Sequence, residues 1–180
     1  GKKKSKQGGE NLKIRTKITF KEFVTGTNKR LRYKRKVDGK EQVNEIEVRI
    51  PAGTQNGSKL QANFQGNGKN GIFGNLIIEI ETESDSRFKV EGFDLYTKVN
   101  VPLTTVLLGG ILEVPAPIGI KKIKISECTQ NGKIVKIANE GIYRTENGSL
   151  RGNLFVELNV EIPKKLSAKQ KQIIKEFSEN

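Results

Sequence analysis

The chain of 180 residues contains no histidine and a single cysteine, Cys128. Without histidine it has no imidazole base, no Ser-His catalytic pair and no histidine metal ligand. One cysteine excludes an internal disulfide and a cysteine-based zinc site, and it fits a reducing compartment. We therefore predict a cytoplasmic protein that binds rather than catalyses and that needs no metal or other cofactor.

Long apolar runs are missing as well, since no stretch approaches the roughly 18 residues that a membrane helix needs. No signal-peptide pattern opens the chain, which begins at Gly1 rather than at a methionine. Hydrophobic residues make up 34% of the chain and charged residues 29%, as in a soluble globular protein. We expect no membrane partner, and we expect the chain to be a fragment of a longer protein.

Acidic residues are scarce in the first 40 positions, which hold 15 Lys and Arg against three Asp and Glu. The basic residues concentrate in "GKKKSKQGG" (1–9) and "KRLRYKRK" (29–36). Such a region attracts nucleic acid, acidic peptides or anionic surfaces, or else it only solubilises a charged strand face. Its few aromatic residues, Phe20, Phe23 and Tyr33, offer little surface for stacking on bases.

The four residues TQNG occur twice, at 54–57 and 129–132, and similar segments flank them in the same order. The similar segments are "ITFKEFVTG" (18–26) with "VPLTTVLLG" (101–109) and "GNLIIEIE" (74–81) with "GNLFVELN" (152–159). Ordered matches of this kind indicate a tandem duplication, with copies near 12–88 and 93–163. Because Asn-Gly favours tight turns, we predict the same hairpin at TQNG in each copy.

Each copy has the alternation of apolar and polar residues that is typical of β-strands. In "NEIEVRI" (44–50), for example, Ile46, Val48 and Ile50 alternate with charged residues. Only short helical turns fit "FKEFVTG" (20–26) and "LTTVLLGG" (103–110), each ended by glycine. We predict a mainly β protein made of two small sandwiches or barrels in series.

The basic strand at 29–34 has two faces, with Leu31 and Tyr33 on one and Arg30, Arg32 and Lys34 on the other. At a sheet edge, its free N–H and C=O groups would pair with an added extended peptide. As an inner strand, it would only place Leu31 and Tyr33 in the core. The pattern of side chains is compatible with both arrangements.

The last segment, "PKKLSAKQKQIIKEFSEN" (163–180), predicts an amphipathic helix with Ser167 as its N-cap. Ile173, Ile174 and Phe177 share one face of this helix. An isolated helix cannot bury such a face. The helix therefore packs on the second unit of the duplication or on the same helix of a partner chain.

One motif, "GNGKNG" (66–71), matches the glycine pattern of dinucleotide sites. A phosphate site needs a helix after these glycines, whereas "IFGNLIIEIE" (72–81) predicts a strand. We expect no nucleotide site here.

Three longer motifs closely resemble the C-terminal substrate-binding region of DnaJ-family co-chaperones, and the resemblance covers residues 10–178. The motifs are "GFDLYTKVNVPL" (92–103), "VPLTTVLLGGILEVPAPIG" (101–119) and "RGNLFVELNVEIPKKLSAKQKQIIKEF" (151–177). The resemblance implies two tandem duplicated β-sandwich subdomains followed by a C-terminal amphipathic dimerisation helix. The implied divisions are a basic flexible tail (1–9), a peptide-binding first subdomain (10–90), a second subdomain (91–163) and the helix (164–180).

The resemblance also implies a peptide groove in the first subdomain and a homodimer. Carried over by position, the groove residues are Ile14, Thr16, Lys29, Leu31, Tyr33 and Ile78, and the dimer residues are Ile173, Ile174 and Phe177. Lys29 would lie at the basic rim, and Thr16 stands where relatives usually have an aliphatic residue. The single cysteine places the chain with the zinc-free members of the family.

The implied function is that of a heat-shock co-chaperone. It would bind extended hydrophobic segments of unfolded polypeptides by β-strand addition and, in the full-length protein, deliver them to a DnaK-type ATP-driven chaperone. In eukaryotic relatives the basic rim binds the acidic C-terminal tail of that chaperone, so this tail is a candidate ligand of Lys29. The alternative is a basic DNA-associated protein similar to curved-DNA-binding relatives, whose affinity would fall steeply with salt.

Overall fold

The computed structural model describes residues 7–180, and residues 1–6 of the predicted basic tail lie outside the described residues. The described chain is mainly β, with two β-sandwich units in series and a C-terminal helix, which confirms the predicted fold class. Its strands are β1 (Leu12–Ile18), β2 (Thr27–Val37), β3 (Lys40–Ile50), β4 (Lys59–Ala62), β5 (Gly68–Lys69), β6 (Ile72–Phe73), β7 (Leu76–Thr82), β8 (Lys89–Glu91), β9 (Asp94–Pro102), β10 (Gly110–Pro115), β11 (Ile120–Ile125), β12 (Ile134–Ile137) and β13 (Leu154–Glu161). Its helices are α1 (Phe20–Thr25), α2 (Leu103–Leu108) and α3 (Ala168–Ser178).

The first unit packs the sheet β1-β7-β4 against the sheet β3-β2-β5-β6. β7 lies in the middle of its sheet, parallel to β1 on one side and antiparallel to β4 on the other. Its alternate residues Leu76, Ile78 and Ile80 are fully buried. The period of two therefore places the apolar residues of β7 between the sheets, as the sequence pattern predicts.

The second unit repeats this arrangement in the sheets β12-β13-β9-β8 and β10-β11. β9 runs parallel to β13 with Leu95 opposite Leu154, as β1 runs parallel to β7 with Leu12 opposite Leu76. The duplicated sequence is thus a duplicated strand arrangement. The short strand β8 pairs with β9, so the second sheet begins slightly before the expected division at residue 91.

The prediction that TQNG forms a hairpin in each copy is wrong. TQNG joins β3 to β4, which belong to different sheets, and the second copy joins β11 to β12 in the same way. The Asn56 side chain accepts a hydrogen bond from the Thr82 N–H (2.9 Å), and the Gly57 N–H donates to the Ile80 oxygen (2.7 Å). The corresponding bonds of the second copy join Asn131 to Val160 (2.9 Å) and Gly132 to Leu158 (2.8 Å). In each unit the motif therefore bonds the connection between the two sheets to the end of a central strand, β7 or β13.

Each unit joins two of its strands, β1 to β2 and β9 to β10, through a short helix of six residues. Thr19 begins α1 with a capping box, in which its hydroxyl accepts from the Glu22 N–H and the Glu22 carboxylate accepts from the Thr19 N–H. Gly26 and Gly109 follow α1 and α2 with positive φ (72° and 79°), a conformation that glycine adopts without strain.

The two units contact each other through the loop between β12 and β13. Ile142 of this loop is fully buried, and the Tyr143 N–H donates to the Val24 oxygen at the end of α1 (2.9 Å). Arg49 lies 3.6 Å from the Glu146 carboxylate across the same boundary. No helix among residues 7–180 is both long and apolar enough to cross a membrane.

Candidate functional site

Strand β2 has one fully paired side and one largely open side. It pairs with β3 from Thr27 to Val37, whereas on the other side β5 meets it only at Val37. The two-residue turn after Val37 makes Val37 and Lys40 a hydrogen-bonded pair, so every second residue back from Val37 directs its backbone groups to β3. The residues between them, Asn28, Arg30, Arg32, Lys34 and Lys36, direct their N–H and C=O groups to the open side.

The backbone of Lys36 supports this register, because its N–H donates to the Asn67 side chain beyond the open side (2.8 Å). Within residues 7–180, Arg30, Arg32 and Lys34 have no strand partner on that side. β2 is therefore an edge along most of one side. Its inner face nevertheless belongs to the core, as it would in an inner strand.

The inner face of β2 forms the apolar floor beside this edge. Leu31 and Tyr33 are buried, and Ile78 of β7 is fully buried beneath the same sheet. The Tyr33 hydroxyl donates to the Gln65 oxygen (2.5 Å) and accepts from the Asn44 amide (2.7 Å), which fixes the ring. These contacts make the floor a rigid part of the core.

Strand β1 provides a second open edge. The Leu12 N–H and the Ile18 C=O bond towards the β7 side, so Lys13, Arg15 and Lys17 direct their backbone groups away from it. The side chains of Ile14 and Thr16 are half-buried, and Ile14 lies opposite Ile78 in the sheet. The predicted groove residues thus lie on β1, β2 and β7 of the first unit, with Leu31, Tyr33 and Ile78 buried and Ile14 and Thr16 half-buried.

Lys29 connects the two edges rather than lying free at the rim. Its ammonium donates to the Lys17 oxygen of β1 (2.7 Å) and lies 3.5 Å from the Glu22 carboxylate. Burial raises the pKa of Glu22, but hydrogen bonds from the Thr19 N–H and the Thr27 side chain and the charge of Lys29 outweigh it, so the pKa lies below its ordinary value. Glu22 therefore stays ionised and holds the ammonium in place.

The exposed faces of β1 and β2 are basic, but acidic residues of neighbouring strands partly neutralise them. The ion pairs are Arg30–Glu45 (3.2 Å), Lys34–Glu41 (3.4 Å), Arg15–Glu79 (3.6 Å) and Lys17–Glu81 (3.9 Å). Exposed pairs of this kind stabilise the fold little. Their consequence is electrostatic, because they weaken the positive field that a phosphate backbone would meet.

The C-terminal helix α3 begins as predicted at Ser167, which forms a capping box with Gln170. None of its residues is buried, and Ile173, Ile174 and Phe177 are 53%, 45% and 71% exposed. They line one side of an apolar cleft of about 610 Å³ whose other side is α2, with Leu103, Leu107 and Leu108. The three predicted helix residues are thus together on an uncovered apolar surface.

Sequence reasoning missed two residues at the ends of the β2 edge, Glu22 and Asn67. Glu22 was detectable locally, because Thr19 and Glu22 have the spacing of a capping box. Its contact with Lys29 was not, since it depends on how β1 and β2 meet. Asn67 lies in the glycine-rich segment, which folds into the hairpin β5–β6 and meets β2.

The amino-acid sequence of this chain is similar to those of known proteins. Residues 12–163 match the family model of the DnaJ C terminal domain. Proteins named "Chaperone protein DnaJ" from Fusobacterium nucleatum, Acidithiobacillus ferrooxidans and Syntrophobacter fumaroxidans are 37%, 35% and 33% identical over 140, 136 and 134 residues. The matches cover 73–76% of this chain but only 35–36% of the relatives, so the chain spans about a third of their length. The chain belongs to the DnaJ C-terminal domain family.

Proposed function

We propose that the first unit binds extended apolar segments of unfolded polypeptides by adding them as a strand to the open side of β2. The observation that carries this proposal is the row of backbone groups at Arg30, Arg32 and Lys34 that have no strand partner within residues 7–180, next to the apolar floor at Leu31. Backbone pairing is independent of side chains and gives generality, whereas an apolar floor favours hydrophobic segments.

A longer protein that contains this chain would deliver these segments to a DnaK-type ATP-driven chaperone. Membership in the DnaJ C-terminal domain family supports this role, as does the chaperone name of the relatives. The acidic C-terminal tail of that chaperone is a further ligand for the basic strands, because Arg32 and Lys36 have no acidic side chain within ion-pair distance among residues 7–180.

The test is fluorescence anisotropy of a labelled apolar peptide titrated with the chain at low and at high salt. A peptide of the same length with proline at alternate positions is the control, because proline lacks the N–H that pairing needs. We expect saturable binding that survives high salt and is lost with the proline peptide. Binding that disappears with salt would contradict the proposal and favour the DNA-associated alternative, in which phosphate contacts dominate.

We also propose that α3 joins two chains into a homodimer. The uncovered cleft between α2 and α3 supports this proposal, since an exposed apolar surface of this kind marks an interface. Two grooves in one dimer would raise the avidity for a long client through effective concentration. We expect Ile174→Asp to give a monomer in sedimentation equilibrium and Lys171→Asp, outside the cleft, to leave a dimer. A parent chain that sediments as a monomer would contradict this proposal.

A further inference from the structure

We propose that the groove between β1 and β2 is closed at both ends, so that it takes a segment of about five residues, and that Lys29 sets one of these ends. This inference rests on the proposed strand addition. It concerns the length of segment that gains backbone pairing, which neither the open edge nor the apolar floor determines.

The first end is closed by the side chain of Lys29. This side chain leaves β2 on its inner face and reaches the Lys17 oxygen, one of the groups that β1 directs to its own open side. An incoming strand that ran past this point would have to displace a charge-assisted hydrogen bond. Glu22 opposes displacement, because it would lose its partner Lys29.

The second end is closed by the hairpin β5–β6. Its Asn67 side chain accepts from the Lys36 N–H, and its Gly68 oxygen accepts from the Asp38 N–H (2.9 Å). The hairpin is itself held by the chain before β1, where Glu10 accepts from the Asn67 N–H (3.0 Å) and the Gly9 N–H donates to the Ile72 oxygen (3.0 Å). A Cβ at Gly9 would come within 1.8 Å of the Asn67 oxygen, so this contact leaves no space to shift.

Between these ends the edge runs from Arg30 to Lys34. This stretch holds about five residues, which are extended with a rise of ~3.3 Å per residue. A client residue beyond either end gains no pairing from β2. Affinity should therefore rise with peptide length up to about five residues and then level off.

The test is a series of alternating apolar peptides of three to nine residues, titrated by anisotropy with the parent chain and with Lys29→Met. Methionine keeps the length of the side chain but cannot donate to the Lys17 oxygen. The matched control is Lys21→Met, which removes the same charge from an exposed position on α1, outside both strands of the groove. Thermal unfolding of each variant reports whether it folds.

We expect the parent and Lys21→Met to gain less than about twofold in affinity from five to seven residues. We expect Lys29→Met to gain about three- to tenfold over the same interval, the effect of one or two further hydrogen bonds. If Lys29→Met does not fold, Asn67→Ala frees the Lys36 N–H at the other end and should give a gain of about threefold, the effect of one further hydrogen bond.

Two results would overturn the inference, and they differ in what else they overturn. Affinity that keeps rising through nine residues in the parent would show that the ends are open, while strand addition itself would stand. No binding at any length would remove the proposed strand addition together with this inference.

Discussion

The two units share one strand arrangement but differ at the open edge of one strand, which is β2 in the first unit and β10 in the second. β2 is 11 residues long, and its equivalent β10 has six. The Ala116 N–H donates to the Gly119 oxygen, which fixes the β10–β11 register and places Pro115 among the residues that face the open side. Pro115 corresponds to Arg32 and has no N–H to offer, so the second unit lacks at this position the donor that the proposed strand addition uses in the first unit.

The first strand of each unit shows the same contrast. β8 covers the beginning of β9, with Val90 opposite Leu95, whereas β1 has only β7 as a strand partner within residues 7–180. The second unit thus pairs part of this edge with its own chain, whereas the first unit leaves it open within residues 7–180. The proposed strand addition would therefore be confined to one copy of the duplicated scaffold.

The helical turns differ in a complementary way. The end of α1 is covered by Tyr143 of the second unit, through its hydrogen bond to Val24. At α2, Leu107 and Leu108 are 41% and 78% exposed and face the cleft beside α3. Within residues 7–180 the first unit therefore has an open strand edge, and the second has an apolar face beside α3.

The largest effect on stability should come from the buried floor of the first unit. Leu31→Ala should lower the free energy of unfolding by about 2–4 kcal/mol, because it leaves a cavity in the core, and should also weaken peptide binding. Val114→Ala, its counterpart in the second unit, removes less buried surface and should leave binding unchanged. Urea unfolding and anisotropy of both variants separate the two effects, and equal losses of binding would contradict the difference between the units.

The next largest effect should come from placing a proline in the first unit at the position that Pro115 has in the second. Arg32→Pro removes an N–H that faces the open side, so no hydrogen bond within the sheet is lost. We expect about a tenfold rise in the Kd of the peptide with the melting temperature little changed. Arg32→Ala removes the same charge and keeps the N–H, so equal Kd values for the two variants would show that peptides do not pair here.

The reverse exchange should have a smaller effect. Pro115→Ala restores an N–H to β10, and we expect a weak second peptide site per chain in isothermal titration calorimetry. The short strand limits its affinity to below that of the first unit. Glu113→Ala leaves the proline in place and is the control, and a second site in that variant would mean that the proline is not the block.

The smallest effect is a pH dependence at the end of the groove. Because the pKa of Glu22 is lowered in the folded chain, its contribution to stability is present above its ordinary pKa and is lost as the pH falls through the lowered value. Glu22→Gln should therefore flatten the decrease in melting temperature below about pH 5. Parallel melting curves for parent and variant at acidic pH would contradict this assignment.

Much of the fold was predictable, because alternation and duplication are properties of the sequence itself. Ile46, Val48 and Ile50 identify a strand from their spacing alone. The TQNG turn shows the limit: positive φ at Gly57 follows from local chemistry, but the sheet that each flanking strand joins does not. For the same reason the pattern of 29–34 predicts which side chains are buried and leaves open which backbone groups find partners.

The site depends even more on distant contacts. Lys29 reads as one cation in a basic run, yet its position is set by the Lys17 oxygen and by Glu22 on separate elements. The role of Pro115 emerges only when the two copies are compared in three dimensions.

Amide hydrogen exchange by NMR, in the presence and absence of a bound apolar peptide, tests directly whether the peptide pairs with β2. Arg30, Arg32 and Lys34 should become protected when the peptide binds. Leu31 and Tyr33, already bonded to β3, and Ile111 and Glu113 of the second unit should change little. Protection at the second-unit residues, or none at Arg30, Arg32 and Lys34, would contradict the claim that clients bind by pairing with β2.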